Sequence, residues 1–208
     1  GNCMELTASQ NDALTELINI GYARAAGALS ELTGHRITLD VPKVAIHPLD
    51  EITILLRGVV QGEVASVNQV FSGPVAGNAL LLLDHRAALL LNQLLTDDRA
   101  VSRGLDGSVR EVITEVGNIL LNACLGVFGN ILQVQVSFSV PRMTVDSVEG
   151  VLNSITVRDQ ELRYALMIHT RFHVRASDVS GYLVIILGVT SLDRLLYEVK
   201  RWEERQLA

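Results

Sequence analysis

Residues 9–34 read SQNDALTELINIGYARAAGALSELTG, and residues 108–130 read SVREVITEVGNILLNACLGVFGN. Setting Glu16 against Glu115 brings Asp12 onto Glu111, Thr15 onto Thr114, Asn19 onto Asn118 and Gly27 onto Gly126. A proline follows each asparagine at one distance: Pro42 lies 23 residues beyond Asn19 (42 − 19), and Pro141 lies 23 beyond Asn118 (141 − 118). The chain is an internal duplication, so fold and function are read from two copies of one unit.

Each copy carries an apolar face at helical spacing. In the first it is Leu14, Leu17, Ile18, Gly21, Ala25 and Leu29; in the second, Val112, Val116, Ile119, Ala123 and Val127. The opposite edge holds Asp12, Thr15, Glu16 and Asn19, or Glu111, Thr114, Glu115 and Asn118. Residues three apart are neighbours on a helix surface, so Glu16 stands beside Asn19 and Glu115 beside Asn118. A carboxylate accepts hydrogen bonds and carries negative charge, whereas a carboxamide donates and accepts without titrating. Together on a rigid helix they grip a cationic partner and orient a water. Asp12 and Glu111 lie three residues after Ser9 and Ser108, the spacing of a capping box, and capping is their expected role. Apolar and loop positions have drifted between the copies, while the Glu/Asn pairs and their distant prolines have not.

These residues carry a resemblance. Asp12-x3-Glu16-x2-Asn19 followed by Pro42, with Glu115-x2-Asn118 followed by Pro141, resembles the signature of the CheC-type chemotaxis phosphatases. Within the CheC/CheX/FliY family the likeness is greatest to CheC, which has two signature copies. Asn19-Ile20-Gly21 and the run Ala23 to Leu29 also match, and the resemblance extends over nearly the whole chain. Glu111 departs from it, since the family more often has Asp or Ser there.

The resemblance implies an enzyme that hydrolyses the aspartyl-phosphate of a CheY-like receiver domain in chemotaxis signalling. Glu16, Asn19, Glu115 and Asn118 are then the catalytic residues. Each Asn orients the attacking water, comparable to the water-positioning Gln of GTPases, and each Glu pairs with the receiver's active-site Lys. The protein needs no cofactor or metal of its own, and Mg²⁺ is expected on the phosphorylated receiver. CheD, a receptor deamidase, is a further implied partner, met by the helix from Asp84 to Leu95 or by the terminal helix. The alternative is a non-catalytic adaptor that binds a receiver or CheD. A flagellar switch component is less favoured, because nothing resembles the extra C-terminal module of such proteins.

Composition agrees with a globular enzyme or binding module. The chain has 208 residues, of which 49% are hydrophobic and only 4% aromatic, so its core is built from Leu, Val, Ile and Ala. The most continuous apolar run, Ala79 to Leu95, is interrupted at Asp84, His85 and Arg86, short of the ~18 residues of a membrane span. No charged-then-apolar leader opens the sequence, and the expected location is cytoplasmic. The net charge is −6 (17 − 23), with no basic cluster interleaved with aromatics, which argues against a nucleic-acid surface. Cys3 and Cys124 give neither a disulfide framework nor a zinc site. His169 and His173 are four apart in an alternating segment with no third ligand, so no metal site is expected.

The patterns predict an α+β domain over residues 1–208, built from two homologous halves, about 8–95 and 108–205, joined by 96–107. Each half reads as an α-β-β-β-α-like unit, with a signature helix, a run of strands and a closing helix. The predicted strands are 36–41, 51–56, 59–71 and 77–83, then 132–140, 151–158, 161–174 and 181–187, with a hairpin formed by 151–158 and 161–174. The closing helices run from Asp84 as N-cap to about Leu95, and from Ser191 to about Arg205. A pseudo-twofold pools the strands into one mostly antiparallel sheet with the two long signature helices on its face. Gly27 and Gly126, costly inside a helix, are expected at close helix contacts. The leucine-rich helix 84–95 is expected to be incompletely covered.

Overall fold

The computed structural model describes residues 5–96 and 104–208, so residues 97–103 of the predicted joint lie outside the described part. In chain order the first half contributes α1 (Ala8–Thr33), β1 (Ile37–Pro48), α2 (Leu49–Arg57), β2 (Val64–Ser72), β3 (Gly77–Asp84) and α3 (His85–Thr96). The second contributes α4 (Gly107–Ile131), β4 (Ser137–Phe138), β5 (Arg142–Asp146), α5 (Val148–Thr156), β6 (Leu162–Val174), β7 (Ser177–Gly188) and α6 (Val189–Leu207).

All seven strands form one antiparallel sheet in the order β1-β6-β7-β3-β2-β4, with β5 also paired to β2. The first strand of each half pairs in the other half's territory: β1 lies on β6, and β5 lies on β2. At the centre β3 meets β7, with Leu80 opposite Val184. Each of these is the third residue after an equivalent glycine, Gly77 or Gly181, so the pseudo-twofold passes between them.

The sheet is covered on both faces. Ala79, Leu81 and Leu83 of β3 join α1, α3, α4 and α6 in one core, whereas Leu80 and Leu82 join α2 and α5 in a second. That explains why β3 is apolar at nearly every position rather than at alternate ones.

Three features differ from the sequence expectations. First, residues 51–56 and 151–158 are mainly helical, within α2 and α5, so the unit is α-β-α-β-β-α and the hairpin is β6–β7, turning at Arg175 with φ 58°. Their β-branched residues suggest strands, but burial follows helical spacing: Ile52 and Leu56, or Val148, Val151, Leu152 and Ile155. Ser147 caps α5 by accepting from the Gly150 N–H at 3.1 Å. Second, β1 continues past Pro42 to Pro48. Its register shifts between Asp40 and Lys43, and as an edge strand it tolerates the proline's missing N–H. Third, of residues 132–140 only Ser137–Phe138 is strand, and β2 starts at Val64 after a turn with Gly62 at φ 73°.

The helix starts also move. Thr7 caps α1, accepting from Gln10 N at 3.1 Å while Gln10 Oε1 accepts from Thr7 N at 2.9 Å. Asp106 caps α4 by accepting from Val109 N at 3.0 Å. Asp12 and Glu111 therefore have no capping role. Gly34 (φ 72°) closes α1 in the left-handed conformation, its N–H bonded to Ser30 O at 2.9 Å.

The glycine expectation also fails. A Cβ on Gly27 or Gly126 would meet nothing within 4 Å. The close approaches are elsewhere: a Cβ on Gly21 would lie 3.1 Å from Cys124 Cα, and one on Gly117 would lie 2.5 Å from Val67 Cγ1. In α3, Leu91 and Leu95 are buried while Leu89, Leu90 and Leu94 are half-buried against the core. Among the described residues the one helix long and apolar enough to cross a membrane by length and composition is α4, and half of its most apolar stretch is buried within the fold.

Candidate functional site

On α1, the stripe Leu14, Leu17, Ile18, Gly21 and Ala25 is buried against the sheet, which turns the opposite edge to solvent. Asp12, Glu16 and Asn19 are exposed on that edge. Neither Glu16 nor Asn19 has a hydrogen-bond or ion-pair partner among the described residues. Two contacts hold the helix beneath them. Asn11 Nδ2 donates to Val44 O at 2.9 Å, fastening the first turns over β1. Tyr22, wholly buried, has its hydroxyl 2.5 Å from Thr170 Oγ1. Thr170 spends its proton on Ile168 O at 3.1 Å, so the phenol is the donor. Burial pushes the Tyr22 phenol well above its ordinary pKa, so it remains a neutral donor.

On α4, Glu111 and Glu115 are exposed and Asn118 is half-buried. Asn118 is held where Asn19 is not. Its Oδ1 accepts from Asn122 Nδ2 at 2.9 Å. Asn122 Oδ1 accepts from Gln69 Nε2 at 3.1 Å, and the same amide donates to Ser139 O at 2.9 Å. Gln69 is 2% exposed, so this chain of amides is anchored in the interior. Asn118 keeps both of its own N–H donors for a ligand. Sequence reasoning missed Asn122 and Gln69. The available signals were a second Asn at i+4 from Asn118 and a Gln on the inward-facing side of β2, in line with Ala65 and Val67.

The two edges are neighbours on an antiparallel helix pair. Gly21 of α1 lies against Cys124 of α4, and the end of α1 (Leu29, Leu32, Thr33) shares a groove of about 360 Å³ with Glu111, Val112, Glu115 and Val116. Glu115 thus lies some 13 residues along α1 from Glu16 (29 − 16), which at ~1.5 Å per residue separates the two carboxylates by about 20 Å. Leu32, 63% exposed, forms an apolar lip beside Glu115.

Other chemistry-bearing residues lie elsewhere. His173 bridges the sheet edge: Nε2 is 2.9 Å from Asp40 Oδ2 of β1, and Nδ1 contacts Asp178 of β7. Those two hydrogen bonds, Asp40's first, raise its pKa. His169 stacks on Tyr182 with ring centroids 5.1 Å apart, and burial, followed by the charge of Arg171, lowers its pKa. Cys124 is buried, and desolvation pushes its thiol far up, away from nucleophilic use. Among the described residues no group of three or more His, Cys, Asp and Glu side chains is placed to hold a metal ion.

Known proteins share both this architecture and part of the sequence. The chain is 26% identical over 147 residues to the CheY-P phosphatase CheC of Bacillus subtilis, spanning 69% of this chain and 70% of that protein. In sequence it is similar to proteins of the CheC and FliY type. The flagellar motor switch phosphatase FliY of B. subtilis is 22% identical over 162 residues, spanning 76% of this chain but only 41% of FliY. In fold, the crystal structure of Thermotoga maritima FliY superposes with a TM-score of 0.77, covering 96% of this chain and 100% of that one at 17% identity. The FliM middle domain of H. pylori superposes at 0.63, covering 93% and 99% at 13% identity. No family model matches the chain.

Proposed function

We propose that the protein hydrolyses the aspartyl-phosphate of a CheY-like receiver domain at two sites, Glu16/Asn19 and Glu115/Asn118. The observation that carries this reading is the pair of Glu/Asn edges, exposed at Glu16, Asn19 and Glu115 and half-buried at Asn118, on antiparallel helices whose apolar faces are buried. The B. subtilis relative named a CheY-P phosphatase supports it. The receiver supplies Mg²⁺, its own Lys and the phosphoryl group, so the missing ingredient is an aligned water. Glu16 or Glu115 ion-pairs with the receiver Lys and docks the helix. Asn19 or Asn118 then accepts a hydrogen bond from a water and holds it in line with the P–O bond that breaks. The water oxygen bonds to phosphorus, the receiver's aspartate leaves as carboxylate, and inorganic phosphate is released. Asn is a poor proton acceptor, so its contribution is geometric, and a group of this kind typically contributes ~10²-fold.

Phosphate release from a phosphorylated receiver tests the proposal. Asn19→Ala and Asn118→Ala should each slow release, and the double variant should approach the receiver's intrinsic rate while still binding the receiver. Parental activity in the double variant would end the catalytic assignment and leave an adaptor. CheD is proposed as a second partner, and the cytoplasm as the site of action, where a receiver substrate resides. The FliY likeness favours a second setting for the same chemistry, the flagellar switch, since FliY matches in both sequence and fold. Co-purification with switch proteins separates that setting from a free enzyme.

A further inference from the structure

On the face covered by α2 and α5, a groove of about 400 Å³ lies between α5 and the strands β5, β2 and β3. Arg142 and Arg158 line it, and neither guanidinium has an ion-pair or hydrogen-bond partner among the described residues. Asn68 and Asn78 form its amide wall, linked Nδ2 to Oδ1 at 3.3 Å. Ser66 also lines it, fully buried, with an Oγ that has no hydrogen-bond partner. A buried hydroxyl without a partner is costly, so a site that keeps one is unusual. One carboxylate, Asp159, is present, and its Oδ1 accepts from Glu161 N at 3.0 Å.

The duplication provides an internal control. Arg142 lies opposite Asn68 across β5–β2, and its counterpart after the repeated proline is Lys43, opposite His169 across β1–β6, so a cation stands here in both halves. Arg158 follows the end of α5 by two residues, as Val59 follows the end of α2. Asn78 is the residue after Gly77, and its counterpart after Gly181 is Tyr182, whose ring stacks on His169. One further cation, Arg158, and two amides, Asn68 and Asn78, thus stand where the other half has Val59, Met167 and Tyr182. Drift of a solvated surface changes positions singly. Here three polar replacements converge on one groove.

We propose that this groove binds a small organic phosphomonoester, of the mononucleotide or sugar phosphate class, at a site separate from the Glu/Asn edges. The two guanidinium forks match the oxygens of a phosphate, the amides match hydroxyls or base edges, and Leu80 and Val151 supply an apolar wall for the body. The volume exceeds what inorganic phosphate alone fills. The groove lies on the opposite face of the sheet from α1 and α4, so occupancy leaves the helix edges accessible.

Calorimetric titration of the whole chain with AMP, glucose 6-phosphate and inorganic phosphate tests this. At least one organic phosphate should bind, more tightly than inorganic phosphate, and which one binds separates the nucleotide from the sugar class. Arg142→Gln and Arg158→Gln should each weaken binding about tenfold, the usual consequence of losing a charge-assisted pair. Both positions are exposed, so the variants should keep the parent's melting temperature. In NMR spectra the side-chain amides of Asn68 and Asn78 should shift with the bound phosphate. Failure of all three probes to bind at millimolar concentration, equal affinity in both Arg variants, or shifts confined to other residues would each overturn the site.

Discussion

Asn19 and Asn118 occupy one position in the two copies yet meet different surroundings, because the residue four further on is Ala23 in α1 and Asn122 in α4. Asn122 ties Asn118 to Gln69 and so restricts its rotamers before any receiver arrives. Asn19 must be ordered on binding, which costs side-chain entropy. Asn122→Ala should therefore slow phosphate release by about tenfold when the second site is isolated by Asn19→Ala, as expected for a positioning group. With the first site isolated by Asn118→Ala, the same change should do nothing. Equal effects in both backgrounds would mean that Asn122 supports the fold and not Asn118. The Glu/Asn pairs were legible in the sequence because duplication displays what has not drifted. The amide chain was not, since it joins α4 to a strand 53 residues away, from Gln69 to Asn122, and no local pattern announces such a pairing.

At the scale of elements, the long helices were readable from their 3.6-residue stripe, while their first turns and the short helices α2 and α5 were not. A nine-residue helix made of Ile, Val, Leu and Thr has strand-like composition, and only the burial of positions four apart distinguishes it. The glycines show the same limit. Gly27 and Gly126 recur at equivalent positions, yet both face open space, whereas Gly21 and Gly117 carry the contacts. Gly27→Ala should raise stability by about 0.5–1 kcal/mol, the difference in helix propensity at an exposed site. Gly117→Ala should lower the melting temperature, because the new methyl would sit 2.5 Å from a β-branched Val67 that cannot swing aside. Thermal unfolding of the two variants decides the matter, and a stabilised Gly117→Ala would show that α4 does not press on β2 as described.

For the whole molecule, the exchange of β1 and β5 means that neither half completes its own three-stranded sheet, so the two signature helices are fixed relative to each other by the pooled sheet. Both Glu/Asn edges lie opposite the buried stripes and face away from the sheet, about 20 Å apart along antiparallel helices at ~1.5 Å per residue. A receiver domain of about 120 residues has a radius of gyration near 14 Å, hence a diameter of roughly 35 Å. Two such domains docked side by side on one face would overlap. The protein should therefore hold one receiver at a time despite having two sites, and the second copy should raise the rate of productive encounter by about twofold at most, leaving one turnover per bound receiver. Sedimentation velocity with a receiver locked in its phosphorylated form by beryllofluoride should give a 1:1 complex at saturation. Glu16→Lys alone should leave that stoichiometry unchanged, and only Glu16→Lys with Glu115→Lys should abolish the complex. A 2:1 species would show that the receivers tilt apart on docking, and the turnover of the two sites would then add.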